Sequence, residues 1–278
     1  MTTHAMTQHA MTQHAVTRVR HEPRRRLLTV QRVDRLTPHM ARITLGGDLA
    51  GFVSAAYDDH VKVFFPLPGR NAPTIPDPGP DGQPPAGAER SPGRDYTPRR
   101  YDITRNEMVI DFALHDAGPA TSWAVQAAPG QQLAVGGPRG SFVVPDDFDW
   151  YLFVGDETAL PAIGRRLEEL RSGARALVVA AVTGPEEQQS FDSRAEVETV
   201  WVHRPLSKAV DATPLLDALR GVTLPERGDG YAWAAGESQT AKLLRRHLID
   251  ERGLDKAWIK AAGYWKRGAV SIHETHND

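Results

Sequence analysis

The chain changes texture at Trp150, and that change limits its possible folds more than any other feature. Before it, short runs rich in β-branched, aromatic and apolar residues recur at 27–33, 40–45, 60–66, 108–114 and 133–144, separated by turn-forming residues. After it, apolar strand-like runs at 151–154, 176–182, 199–203, 232–238 and 257–264 alternate with helix-like runs at 159–171, 213–219 and 239–252. Short strands closed by turns predict a small antiparallel β-barrel. Strands alternating with helices predict a parallel sheet with both faces covered. The expected fold class is therefore β plus α/β, with a barrel domain over 25–147 and an α/β domain over 148–278.

Two segments are expected to stand outside those domains. The N-terminus opens with MTTHAMTQHAMTQHAVT, a near-repeat that predicts a disordered leader over 1–24. Residues 66–93 are rich in Pro and Gly and predict a flexible insert between two strands.

Composition narrows the chemistry. The 278 residues contain no cysteine, which removes disulfides, thiolate zinc sites and cysteine-ligated iron–sulfur clusters. Electron transfer would have to run through an organic cofactor. A formal net charge of -2 gives no global argument for nucleic acid or an anionic membrane surface. No apolar run is long enough to span a bilayer and none forms a signal-peptide core, so a cytoplasmic protein is expected.

The stretch Arg94-Asp95-Tyr96-Thr97-Pro98-Arg99-Arg100-Tyr101-Asp102 concentrates groups suited to a flavin dinucleotide. Arginine can clamp a phosphate, tyrosine offers a flat face to a flat ring, and a threonine hydroxyl can donate to a ring nitrogen. Two frames fit, Arg94/Tyr96/Thr97 and Arg99/Tyr101/Asp102. The first is preferred, because a carboxylate against the ring would oppose the negative charge gained on reduction. Further on, Gly118-Pro119 opens a helix whose first N–H groups, at Ala120, Thr121 and Ser122, would favour an anion. The G-x-G-x-x-G fingerprint is absent.

Taken in order, these pieces resemble the siderophore-interacting protein family, flavin-dependent ferric-siderophore reductases related to ferredoxin–NADP reductase. The resemblance runs from about residue 27 to 268. It rests on His60-Val61-Lys62 with Phe65-Pro66, the Arg94–Asp102 stretch, and His115 with Gly118-Pro119-Ala120 and Trp123. After these comes Gly137-Pro138-Arg139-Gly140, and in the second half it rests on residues 154–163, Gly236-Glu237 and residues 263–268. Two departures stand out: the proline-rich insert, and Lys266 where the family often has arginine.

The resemblance implies an N-terminal FAD-binding barrel and a C-terminal Rossmann-like domain approached by NADH or NADPH. Arg94, Tyr96 and Thr97, with adjoining Pro98 and Arg99, would hold the flavin's phosphate, ring and N5 edge. His115, Gly118, Pro119, Ala120, Thr121, Ser122 and Trp123 would hold its pyrophosphate and adenosine side. Asp156, Glu157, Thr158, Ala159 and Pro161 would meet the nicotinamide. Ferric siderophores are often anionic, so Lys62, Lys266 and Arg267, with Arg139 as a weaker fourth, are the expected substrate-binding cations. Glu186 and Glu187 would suit a ribose diol, whereas Arg194 or Arg204 would suit a 2′-phosphate. His203, His247 and His273 are expected to be ordinary packing or solvated residues. The expected partner is a ferric siderophore, without nucleic acid or membrane, and the chain is expected to be a monomer. A general flavin reductase with another acceptor and a non-catalytic siderophore-binding flavoprotein remain the alternatives.

Overall fold

From Arg25 to Val30 every second side chain is buried, the period of a strand with one face on a core. In the computed structural model, which describes residues 14–76, 85–114, 118–268 and 274–276, that alternation builds a curled antiparallel sheet. The first half contains β1 (Thr17–Arg20), β2 (Arg25–Thr37), β3 (Met40–Gly46), β4 (Val61–Phe64), β5 (Gly93–Tyr96), β6 (Arg100–Asp102) and β7 (Glu107–Ala113). Helix α1 (Pro119–Val125), β8 (Gln132–Gly136) and β9 (Gly140–Val143) complete it. The seven-stranded order is β5-β4-β8-β2-β3-β7-β6, and β1 pairs with β9 in a separate ribbon. Consecutive strands β5 and β6 are thus the two opposite edges of the sheet. The short link Thr97-Pro98-Arg99 carries the chain from one edge to the other, so the sheet curls toward closure around Leu28, Ile43, Val63, Phe65, Ile110 and Phe112. Proline within that link donates no ladder hydrogen bond, which suits a segment leaving one strand for another.

The second half contains β10 (Trp150–Gly155), α2 (Leu160–Glu169), β11 (Arg175–Val182), β12 (Glu196–His203), α3 (Thr213–Gly221), β13 (Gly230–Glu237), α4 (Ser238–Asp250), β14 (Ile259–Trp265) and β15 (Glu274–His276). Strands β10 to β14 are parallel in the order β12-β11-β10-β13-β14, and β15 adds an antiparallel edge. Tyr151 and Phe153 of β10 turn to a core shared with α2, Tyr57 and Phe148. Leu152 and Val154 turn to a core shared with α3 and α4. Both faces are covered, which explains the near-continuous apolar character of β10, β11 and β13.

Of the leader expected over 1–24, residues 14–24 are placed against the rest of the chain, and residues 1–13 lie outside the described residues. Thr17–Arg20 pairs with Gly140–Val143, and His14 stacks on Phe148 at 3.9 Å. Its ring nitrogens lie 2.7 Å from Asp147 and 3.0 Å from Asp229, so two carboxylates compensate a buried imidazole. The insert expected to be flexible is tied at its described ends: Thr74 and Ser91 exchange hydrogen bonds at 2.9 Å in both directions, and Ser91 is buried.

Polar side chains fasten the two halves together. Arg99, 3% exposed, and Arg100 both bind Glu168 of α2, while Arg165 of α2 binds Ser54 and the carbonyl of Pro98. Burial opposes the charge on Glu168, but its hydrogen bonds to Arg99 and Arg100 outweigh that and pull its pKa down to about 2. Replacing Glu168 by Ala is expected to cost about 2 kcal/mol in denaturant unfolding. That is less than for a wholly buried pair, because Glu168 is partly solvated. The depressed pKa sets the sign: the wild-type advantage is complete above pH 4.5 and fades as the pH falls toward 2.

Candidate active site

The strand register sorts the flavin-type residues by face. In the β4–β5 pair Val61 lies opposite Tyr96, Lys62 opposite Asp95 and Val63 opposite Arg94, so Arg94 and Tyr96 share one face and Lys62 and Asp95 the other. The Tyr96 ring rests on Phe112 at 4.5 Å and meets Phe65 edge-on at 6.2 Å. Part of it stays at the surface, and the burial of the rest pushes the phenol pKa upward against the pull of Arg94. The Arg94 guanidinium donates to the carbonyl of Gly93 at 2.8 Å. Helix α1 begins with extended Gly118 and Pro119, and no side chain caps it. Ala120 and Trp123 point into the barrel core, Trp123 packing on Phe65 at 5.6 Å and Phe112 at 5.8 Å. Their side chains are therefore core rather than surface, and His115 lies outside the described residues.

These residues fit a flavin dinucleotide by their chemistry. Tyr96 offers an aromatic face, Arg94 a fork of donors, and α1 an uncapped N-terminus beside Gly118, where a Cβ would meet nothing within 4 Å. The indole nitrogen of Trp123 is a buried donor lacking a partner, an atom whose desolvation a bound acceptor would offset. The second Arg-x-Tyr frame serves the protein itself. Arg99 binds Glu168, Tyr101 binds Ser54, and Asp102 accepts from the N–H groups of Thr104 and Arg105.

On the α/β side, strand order reverses direction between β10 and β13, which opens a crevice at their carboxyl ends. The turn Gly155-Asp156-Glu157-Thr158-Ala159 and the segment Gly236-Glu237-Ser238 border it. Asp156 is the hub: it accepts from Thr158 N at 2.9 Å, Glu237 N at 3.1 Å and the Trp265 indole at 2.9 Å. A Cβ on Gly236 would lie 2.5 Å from an Asp156 oxygen, and its φ of +143° also favours glycine there. Ala159 and Pro161 are packed into the protein at the start of α2 and shape the turn from beneath.

Glu157 lines a narrow cleft between the halves, with His39, Met40 and Leu114 on one side and Thr183, Glu187 and Gln189 on the other. Burial and the neighbouring Asp156 raise its pKa to about 7, against Arg204 at 3.1 Å. Glu187, expected to suit a ribose diol, instead accepts from Thr37 at 2.5 Å and from His39 N at 2.9 Å, and so latches the barrel to the α/β domain. Arg204 is committed to Glu157, and Arg194 is exposed.

The expected cations have separate surroundings. Lys62 pairs with Asp95 at 2.8 Å, Lys266 is exposed near Glu274, and Arg267 donates to the carbonyl of Ser207 at 3.5 Å. Arg139 is exposed on the link before β9.

Sequence reasoning assigned no part to Tyr264, Asp58 or Lys260. Tyr264 donates to Asp58 at 2.6 Å, Lys260 pairs with the same carboxylate at 2.6 Å, and Thr97 lies beside the Tyr264 hydroxyl. Trp265, the next residue, reaches Asp156. Two successive residues of β14 therefore join the barrel link at Thr97 to the crevice turn. The only sequence signal was the unusual run Gly263-Tyr264-Trp265-Lys266.

A curled antiparallel barrel joined to a parallel α/β domain at its switch point is the ferredoxin reductase-like class of fold. A cytochrome P450 reductase from Amycolatopsis shares this fold at 19% identity, with a TM-score of 0.58 over 86% of this chain and 69% of that one. Within the class, the chain belongs to the siderophore-interacting protein family. The family model for the siderophore-interacting FAD-binding domain matches residues 29–142, and that for siderophore-interacting protein matches residues 148–268. The NADPH-dependent ferric-chelate reductase of Escherichia coli K12 is 40% identical over 257 residues, 89% of this chain and 95% of that protein. A siderophore utilization protein from T. fusca is 38% identical, with a TM-score of 0.84 over 93% of this chain and 98% of that one.

A pH series tests the crevice electrostatics. A carboxyl whose folded pKa lies above its unfolded value makes the fold lose stability as the pH rises between the two, here from 4.5 to about 7. Glu157→Gln should therefore gain in melting temperature relative to wild type between pH 5 and pH 8. A difference that stays flat with pH would contradict the raised pKa.

Proposed function

We infer that this protein reduces ferric siderophores with electrons from NADPH or NADH passed through bound FAD, so that iron leaves as Fe(II). The observation that carries the reading is the junction at Thr97, where the ring-holding stretch of the barrel adjoins the switch-point crevice through Tyr264 and Trp265. When bound, FAD supplies the conversion of a two-electron donor into single electrons, and hard oxygen ligands hold Fe(II) less well than Fe(III).

The chain's own residues position and shield. Tyr96, backed by Phe65 and Phe112, would offer the ring a face, Arg94 and the start of α1 would hold the pyrophosphate, and Thr97 would meet the reactive edge. The crevice beside Asp156, Glu157 and Thr158 receives the nicotinamide, while Asp156 fixes the turn rather than touching the ligand. Arg99 and Pro98 hold the barrel link against α2 and act on the cofactor only by placing its neighbours. The E. coli relative is named for NADPH, and we take NADPH as the donor. Among the described residues no helix is long and apolar enough to cross a membrane, and we place the reaction in the cytoplasm, on a monomer.

Lys62, Lys266 and Arg267 are assigned to the anionic substrate. Each exposed cation is worth less than about 1 kcal/mol, so Lys62→Ala and Lys266→Ala should each raise KM for a ferric siderophore about two- to fivefold with little change in kcat. Unchanged KM in both variants would remove them from the site. The function itself is checked by an anaerobic visible spectrum of the FAD-loaded protein. NADPH should bleach the flavin band, and a ferric siderophore should restore it with Fe(II) trapped by a chelator. Flavin that NADPH and NADH both leave oxidised would overturn the reading.

A further inference from the structure

The segment before β2 is held by more than its strand pairing. Both ring nitrogens of His14 face carboxylate oxygens, Nδ1 at 2.7 Å from Asp147 and Nε2 at 3.0 Å from Asp229. Both carboxylates are partly exposed and stay ionised, and an ionised carboxylate only accepts. A neutral imidazole has one N–H and can donate to one of them; an imidazolium donates to both. The ring lies flat on Phe148 at 3.9 Å and meets Trp258 edge-on at 5.2 Å, with its side chain 2% exposed. His14 also takes a left-handed backbone, with a φ of 65°. That conformation is uncommon for a residue with a Cβ and persists where the surroundings impose it.

The slot is built where the two halves join. Asp147 and Phe148 belong to the link 144–149 that carries the chain from β9 to β10, Asp229 precedes β13 and Trp258 precedes β14. These are the amino ends of the α/β strands, opposite to the crevice at their carboxyl ends. From His14 the chain runs into β1, which pairs with β9 of the first half. A Cβ on Gly140 of β9 would lie 2.6 Å from the Val19 carbonyl oxygen, so glycine there admits the segment. We propose that this slot is the docking site of the chain's own N-terminal strap, residues 14–20. It closes on an imidazolium and opens when His14 gives up its proton, which makes the strap a releasable brace across the link between the halves. The charged groups facing the ring are Asp147 and Asp229. Asp149 accepts from the Asp229 N–H and Arg171 donates to the Phe148 carbonyl, so neither is bonded to the ring. Burial opposes the charge on His14, but its hydrogen bonds to Asp147 and Asp229 outweigh that and raise its pKa above 6.5. A raised pKa sets the sign: the brace holds fully below pH 6.5 and is lost as the pH rises through the higher folded value.

The test is backbone hydrogen exchange of residues 17–20 and 140–143 at pH 6 and pH 9, corrected for the pH dependence of intrinsic exchange, in wild type, His14→Ala and Asp229→Asn. At pH 6 the wild-type ribbon should be protected about tenfold more than that of His14→Ala, the scale of charge-assisted hydrogen bonds to partly exposed carboxylates. At pH 9 wild type should fall to the His14→Ala level, while His14→Ala itself changes little. Asp229→Asn keeps the shape of the slot and removes one of its charges. It should lose protection at a lower pH than wild type, and it decides the matter if His14→Ala does not fold. Nitrogen NMR of the His14 ring supplies a readout that packing alone would not move: both nitrogens should be protonated at pH 6. Equal protection in wild type and His14→Ala at pH 6, a wild-type advantage undiminished at pH 9, or a neutral His14 ring at pH 6 overturns the proposal.

Discussion

A guanidinium cannot lose its charge in a protein, so burying one obliges the fold to surround it with acceptors. Arg99 and Arg165 impose that obligation at the boundary between the barrel and the α/β domain. Arg99 reaches across to Glu168, and Arg165 reaches back to Ser54 and the Pro98 carbonyl. Because each pair has one member in each half, the angle between halves is set by hydrogen-bond geometry rather than by apolar contact alone. Thr97 sits beside these pairs, and its position follows from theirs.

Much of the fold could be read from the sequence because it depends on local periodicity. The alternation at residues 25–30 and the apolar runs of β10, β11 and β13 each state how many faces are buried. The candidate site was legible only in part. The Arg94–Asp102 stretch announces its chemistry, but the partner that Arg99 and Arg100 find depends on helix α2, more than 60 residues away in sequence. The place of Glu187 after the second strand of the α/β domain suggests a ribose-diol ligand, whereas the hydrogen bonds that it accepts come from Thr37 and His39 of the β2–β3 hairpin. Tyr264 and Asp58 are separated by 206 positions, and nothing local to either predicts the other. Even Lys62, correctly noticed as a cation in a strand, takes its meaning from register, which places it with Asp95 and opposite in face to Tyr96.

The crevice shows how protein donors satisfy a small acidic centre unequally. Asp156 is saturated by N–H and hydroxyl donors, and this leaves Glu157, next to it, to carry the electrostatic cost. Two adjacent buried carboxyls cannot both be well solvated by one Arg204, so the less well satisfied of them holds its proton to near neutrality. That gives the domain junction a group able to change charge in the range where the cofactor chemistry proposed here would operate.

The cross-boundary pairs also bear on how such a chain can diversify. Domains joined by apolar patches can be exchanged between relatives with modest repacking, since one greasy surface fits another approximately. Here a recombined barrel lacking Arg99, Ser54, Thr37 or Asp58 would leave Glu168, Arg165, Glu187 or Lys260 short of a partner. The two halves therefore form one heritable unit, and change at their boundary must arrive as matched pairs of substitutions rather than as whole-domain shuffling.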